Sequence, residues 1–117
     1  SGRLYLVGNI SAVDDAQSIT DRKNLSENGY LEATIFITPK GNIHKRPVLT
    51  FRGIPVDDTE EFVYGLEDAI EDITRTFKIG SKQQEHNLID ALKIACRKFS
   101  KEKTGKKPFT NINLIRI

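Results

Sequence analysis

The sequence has no methionine and a single cysteine, Cys96, among its 117 residues. One thiol cannot form an intrachain disulfide, which excludes the cystine-stapled secreted scaffolds and points to a reducing cytosol. A chain without methionine is expected to be an excised piece of a longer protein, with Ser1-Gly2 the scar of a cleaved tag. No apolar run approaches the ~20 residues a bilayer helix needs, and no basic-plus-apolar signal opens the chain, so no membrane partner is expected. Catalytic constellations are missing as well. His44 and His86 stand in no metal-ligand spacing, and there is no phosphate-cradling glycine loop and no nucleophile elbow. Cys96 falls in an apolar stripe and reads as a buried structural thiol. Asn9-Ile10-Ser11 and Asn24-Leu25-Ser26 match the glycosylation triplet, in a setting that is not secretory.

What is present fits an ordinary globular domain. Hydrophobic residues make up 38% and charged residues 29% of the chain, and 18 basic against 16 acidic residues leave a net charge of +2. The length suits one domain with a core of its own. Arg3 to Val7 alternates as a short strand, and the polar stretch from Ser11 to Gly29 reads as a linker, with a helical turn near Asp21 to Leu25. Residues 1–29 are therefore assigned to an N-terminal strand and linker, and residues 30–117 to the folded domain.

Tyr30 to Thr38 is rich in β-branched and aromatic residues, Pro39 to Asn42 supplies a turn, and Pro47 to Phe51 returns as a second strand. Pro47 cannot donate to a ladder, which places its strand at an edge or a bulge. From Asp58 to about Phe77 the residues Phe62, Leu66, Ala69, Ile70, Ile73 and Phe77 recur at helical spacing; Asp58 with Glu61 can cap the start, and Gly80 closes the segment. A second helix runs from Ser81 to about Lys103 with Leu88, Leu92, Ala95, Cys96 and Phe99 on its stripe. Gly105 and Pro108 stop it, and Thr110 to Ile117 is a last strand. The fold class is α+β: a small three-stranded sheet in the order β-β-α-α-β, two helices on one face, and an N-terminal strand and linker in front.

Pairing across Lys40-Gly41 sets Ala33 opposite Val48 and Tyr30 opposite Phe51. Leu31, Ala33, Ile35, Ile37 and Val48 then share one face, and Tyr30, Phe36, Leu49 and Phe51 the other. Two helices cover one face of such a sheet. Leaving the other set of large side chains in water forfeits about 1.5–3 kcal/mol each. Tyr30, Phe36, Leu49 and Phe51 are thus the predicted partner-facing surface, meeting another chain or another domain of the same chain. A bulge near Pro47 would shift this register.

Charge is segregated. From 57 to 72 every charged residue is acidic, whereas from 93 to 107 all are basic except Glu102. Each run can serve its own helix dipole and solvate its face. The alternative is a basic end that meets nucleic-acid phosphates, with Lys101, Lys103, Lys106 and Lys107 as the contacts. On that reading the chain could be a free-standing nucleic-acid-binding module; a purely structural domain is a third reading.

Three stretches in order resemble the C-terminal domain of ribonuclease J, of the metallo-β-lactamase/β-CASP nuclease group. Asp21-Arg22-Lys23-Asn24-Leu25-Ser26-Glu27-Asn28-Gly29 is similar to the family's Asp-Arg-Lys-x-Leu-x-Glu-Asp-Gly lead-in. Thr38-Pro39-Lys40-Gly41-Asn42-Ile43 with Pro47 and Arg52-Gly53 resembles its hairpin, and Thr104-Gly105-Lys106-Lys107-Pro108 its closing turn. Arg3-Leu4-Tyr5-Leu6-Val7-Gly8 is similar to the stretch before the linker. Phe51 and Asn28 depart from the family's usual Ser and Asp. The resemblance implies a non-catalytic domain that supports self-association and full activity of an RNA-cleaving enzyme. It also implies that the enzyme's zinc site and catalytic residues lie upstream, with no catalytic or metal-ligating residue and no cofactor in this chain.

Overall fold

In the computed structural model, which describes residues 28–117, Leu31, Ala33, Ile35 and Ile37 alternate inward along strand β1 (Tyr30–Ile37) and are fully buried. That period-2 pattern makes β1 the middle of the sheet. Strand β2 (Val48–Arg52) pairs with it antiparallel, and strand β3 (Phe109–Arg116) pairs with it parallel, in the order β2-β1-β3. A parallel pair needs a long crossover. Helices α1 (Thr59–Arg75) and α2 (Lys82–Thr104) supply it. The α+β architecture is the one read from the sequence. The strand at Arg3 to Val7, the linker and both glycosylation-like triplets lie outside the described residues.

Local chemistry sets the helix ends. The Asp58 carboxylate accepts from the Glu61 N–H at 3.1 Å, and the Ser81 hydroxyl accepts from the Gln84 N–H at 3.1 Å. The Gln84 side chain in turn accepts from the Gly80 N–H at 2.6 Å. Helix α1 ends at Arg75, earlier than its apolar stripe suggests. The Thr76 hydroxyl and N–H both bind the Ile73 carbonyl there, and Phe77 packs on the core from beyond the helix. Helix α2 stops at Gly105, whose φ of +80° is the left-handed turn that a glycine cap permits.

Phe62, Leu66 and Ile70 from α1 and Leu88, Leu92 and Cys96 from α2 close over the inner sheet face. The helices approach closely at Gly65, where a Cβ would lie 2.2 Å from the Phe99 ring. Phe99 continues to Phe62 and Phe51, with ring centroids 5.6 and 5.3 Å apart.

The hairpin register differs from the expected one. Beyond the turn, Ile37 bridges Ile43; in the sheet, Thr34 pairs with Val48 and Ala33 with Leu49. Between those two points β1 advances three residues (34 to 37) and its partner five (43 to 48). The surplus of two residues is taken up in the Lys45-Arg46-Pro47 bulge. Arg46 Nε anchors it to Glu67 of α1 at 2.9 Å. Two surplus residues leave the faces of β2 as the turn sets them. The turn itself pairs Ile37, rather than Thr38, with Ile43, and that one-residue change from the expected register turns every β2 side chain over. Leu49, 2% exposed, and Phe51 therefore lie beneath the helices, and Val48 faces out. The assignment of Leu49 and Phe51 to a partner-facing surface is corrected: Leu49 is a core residue, and Phe51, partly buried, packs against that core.

Candidate functional site

Tyr30 and Phe36 do lie on the sheet face away from the helices. Glu32 and Thr34 stand between them on β1. The parallel register sets Phe109, Asn111, Asn113 and Ile115 of β3 beside Tyr30, Glu32, Thr34 and Phe36 in turn. The middle of this outer face is a hydrogen-bonded polar cluster. Glu32 Oε2 accepts from Asn113 Nδ2 at 2.6 Å and Asn111 Nδ2 at 3.3 Å, and Asn113 also donates to Thr34 at 3.2 Å. The Tyr30 hydroxyl donates to Glu32 Oε1 at 3.0 Å. Burial, then the Glu32 charge and this hydrogen bond, hold the Tyr30 phenol well above its ordinary range.

Apolar groups flank the polar centre on both sides. Tyr30 stacks on Phe109 with centroids 6.1 Å apart and planes at 18°. At the other end Phe36 lies beside Ile115, with Lys45 Nζ 4.3 Å above its ring. Val48 and Ile115 are 46% and 41% exposed. The sequence reading missed Val48, because its register placed that residue inside, and did not single out Ile115.

The four lysines proposed for phosphate contact do not form one patch. Lys103 Nζ lies 5.8 Å from the Phe99 ring, on the flank of α2 that faces α1, and shares a cleft with Asp57, Asp58 and Glu61. Lys101 Nζ donates to the Gly105 carbonyl at 3.4 Å. Lys106 is half-buried; its carbonyl accepts from Ser100 and its N–H donates to Thr104. Lys107 alone turns toward the opposite flank of α2, where it shares a second cleft with Lys93 and Arg97.

The other reactive groups fall where the sequence suggested. Burial pushes the Cys96 thiol up to about 12, so at neutral pH it is not a nucleophile. His44 is exposed, and His86 lies 3.7 Å from Asp90 on the surface of α2. Among the described residues no three His, Cys, Asp or Glu side chains are grouped to hold a metal ion, so they do not fit a zinc centre. Among them, too, no helix is long and apolar enough to cross a membrane.

No curated protein matched the chain. The family model described as the ribonuclease J C-terminal domain matches residues 17–117, which covers every element of the sheet and both helices. The β-β-α-α-β chain, with its left-handed Gly105 turn and its edge-strand bulge at Pro47, belongs to the ribonuclease J C-terminal domain family.

Proposed function

We propose that this domain is the non-catalytic C-terminal part of a ribonuclease J-like, RNA-processing and RNA-degrading metallo-enzyme of the cytoplasm. Its work there is to hold copies of the enzyme together and so support full nuclease activity. The zinc and the cleaving groups belong to the parent's catalytic domains.

The observation that carries this reading is the asymmetry of the sheet. Both helices pack on one face, while the other presents Tyr30, Phe36, Val48 and Ile115 around the Glu32 cluster. Exposed apolar groups cluster at the Phe36–Val48–Ile115 end of this face, where a contact would exclude water, and the hydrogen-bonded Glu32 cluster would lie toward its polar margin. A two-fold contact would place the same patch on both partners.

Sedimentation velocity of the purified chain tests the assembly role. A weight-average coefficient that rises with concentration toward a dimer, and that Phe36→Asp holds at the monomer value, is the expected result. A monomer throughout favours a domain that packs only on its own parent. Incubation with RNA and Mg²⁺, Mn²⁺ or Zn²⁺ tests the non-catalytic role: the RNA stays intact, and metal-dependent cleavage would overturn it.

A further inference from the structure

Helix α2 carries Lys93 and Arg97 one turn apart, on the flank that looks toward the β3 edge. The turn after Gly105 brings Lys107 up beside them. With Asn28, Phe109 and Thr110 these three cations line an open cleft of about 390 Å³ where β1 and β3 begin. Among the described residues no carboxylate lines it, and their arginine–carboxylate pairs lie elsewhere, at Arg46–Glu67, Arg75–Glu71, Arg75–Asp72 and Arg116–Glu85. Arg97 Nε is buried and has no hydrogen-bond partner. A buried guanidinium donor without an acceptor is costly, and three converging positive charges repel one another. An anion in the cleft relieves the repulsion.

The geometry also says what kind of anion. Phe109 is at once a wall of the cleft and the stacking partner of Tyr30. A cationic groove beside an aromatic face is how sequence-tolerant sites hold single strands, with phosphates on the cations and the neighbouring base on the ring. The acidic flank formed by Asp57, Asp58 and Glu61 lies on the other side of α2, so like-charge repulsion leaves one approach to a polyanion. We propose that the Lys93–Arg97–Lys107 cleft is a phosphodiester-binding subsite for single-stranded RNA, with Phe109 packing against the adjoining nucleotide. The site takes over Lys107 from the lysine end of α2 and replaces the other three with Lys93 and Arg97. It is separate from the Phe36–Ile115 end of the outer sheet face.

Fluorescence anisotropy of a labelled twelve-residue oligouridine, titrated with the full chain, tests this. Three phosphate contacts predict a slope of log Kd against log salt of about 2, at roughly 0.7 per contact for a single strand. The double variant Lys93→Ala/Lys107→Ala should weaken binding at least tenfold and lower the slope by about 1.4. Lys98→Ala/Lys103→Ala removes the same charge outside the cleft and should stay within twofold of wild type. Phe36→Asp should bind normally, so this site and the association surface can fail independently. Circular dichroism confirms that each variant is folded. Equal losses in the two double variants, or no saturable binding at 50 mM salt, overturns the proposal.

Discussion

Leu49 and Val48 are neighbours on an edge strand, and the register set where Ile37 meets Ile43 at the turn decides which of them is core. With the observed pairing of Ala33 to Leu49, the leucine side chain is 2% exposed and packs into the cluster beneath the helices, while Val48 is 46% exposed on the opposite face. Leu49→Ala removes three buried carbons and leaves a cavity beneath α1, at a cost of about 3 kcal/mol. Val48→Ala should cost about 0.5 kcal/mol or less. At roughly 5 °C per kcal/mol for a domain of this size, the leucine variant melts about 15 °C lower and the valine variant within about 3 °C of wild type. Urea unfolding followed by circular dichroism separates them, and an unchanged m-value shows that the effect is on stability. Had Thr38 rather than Ile37 faced Ile43 at the turn, setting Ala33 opposite Val48, the two effects would exchange places. A larger loss in Val48→Ala, or small losses in both, refutes the packing described.

Two further perturbations test how the fold is fastened. Gly29 has φ +87°, and a Cβ there would lie 2.7 Å from the Arg52 carbonyl oxygen and 2.8 Å from that of Gly53, so Gly29→Ala should cost about 3 kcal/mol or more. Gly105 has φ +80° with open space around it, so Gly105→Ala should cost only about 1–2 kcal/mol of backbone strain. Equal midpoints in urea would contradict this ranking. The Cys96 thiol, raised by burial from 9.0 to about 12, is neutral in the folded chain while the unfolded thiol ionises near 9. Its contribution to stability is therefore complete below pH 9 and is lost as pH rises from about 9 to 12. Native protein at pH 8 should label with a thiol reagent at least a thousandfold more slowly than unfolded chain, roughly as the rarity of opening dictates; rapid labelling would show an accessible Cys96.

Local signals carried most of the fold. The alternation of Leu31, Ala33, Ile35 and Ile37 marks a strand, the spacing of Phe62, Leu66 and Ile70 marks a helix, and Ser81 and Gly105 mark the ends of the second. The β2 register was not legible in the same way, because it depends on which residues close the turn, and one residue there reverses every face. Pro47 signalled the bulge, which absorbs two residues and so leaves the faces unchanged. The parallel pairing of β3 rests on contacts nearly 80 residues apart, such as Asn113 with Thr34, which no short window contains. The cationic cleft was hidden for a related reason. Lys93, Arg97 and Lys107 appear in the sequence as members of one basic run; helical phase puts Lys93 and Arg97 on one flank of α2 and Lys103 on the other, facing acid, and the Gly105 turn brings Lys107 to the first. Of the predicted partner-facing residues, Tyr30 and Phe36 kept their face because they lie on β1, whose alternation does not depend on how β2 pairs with it.

The most direct measurement is sedimentation velocity on the wild-type chain and on Ile115→Asp, each from micromolar to near-millimolar concentration. If the uncovered side of the sheet joins copies of this domain, wild-type boundaries move toward the dimer with a midpoint in that range, and the variant stays monomeric with an unchanged circular dichroism spectrum. Identical monomeric boundaries for both proteins at every concentration would contradict it.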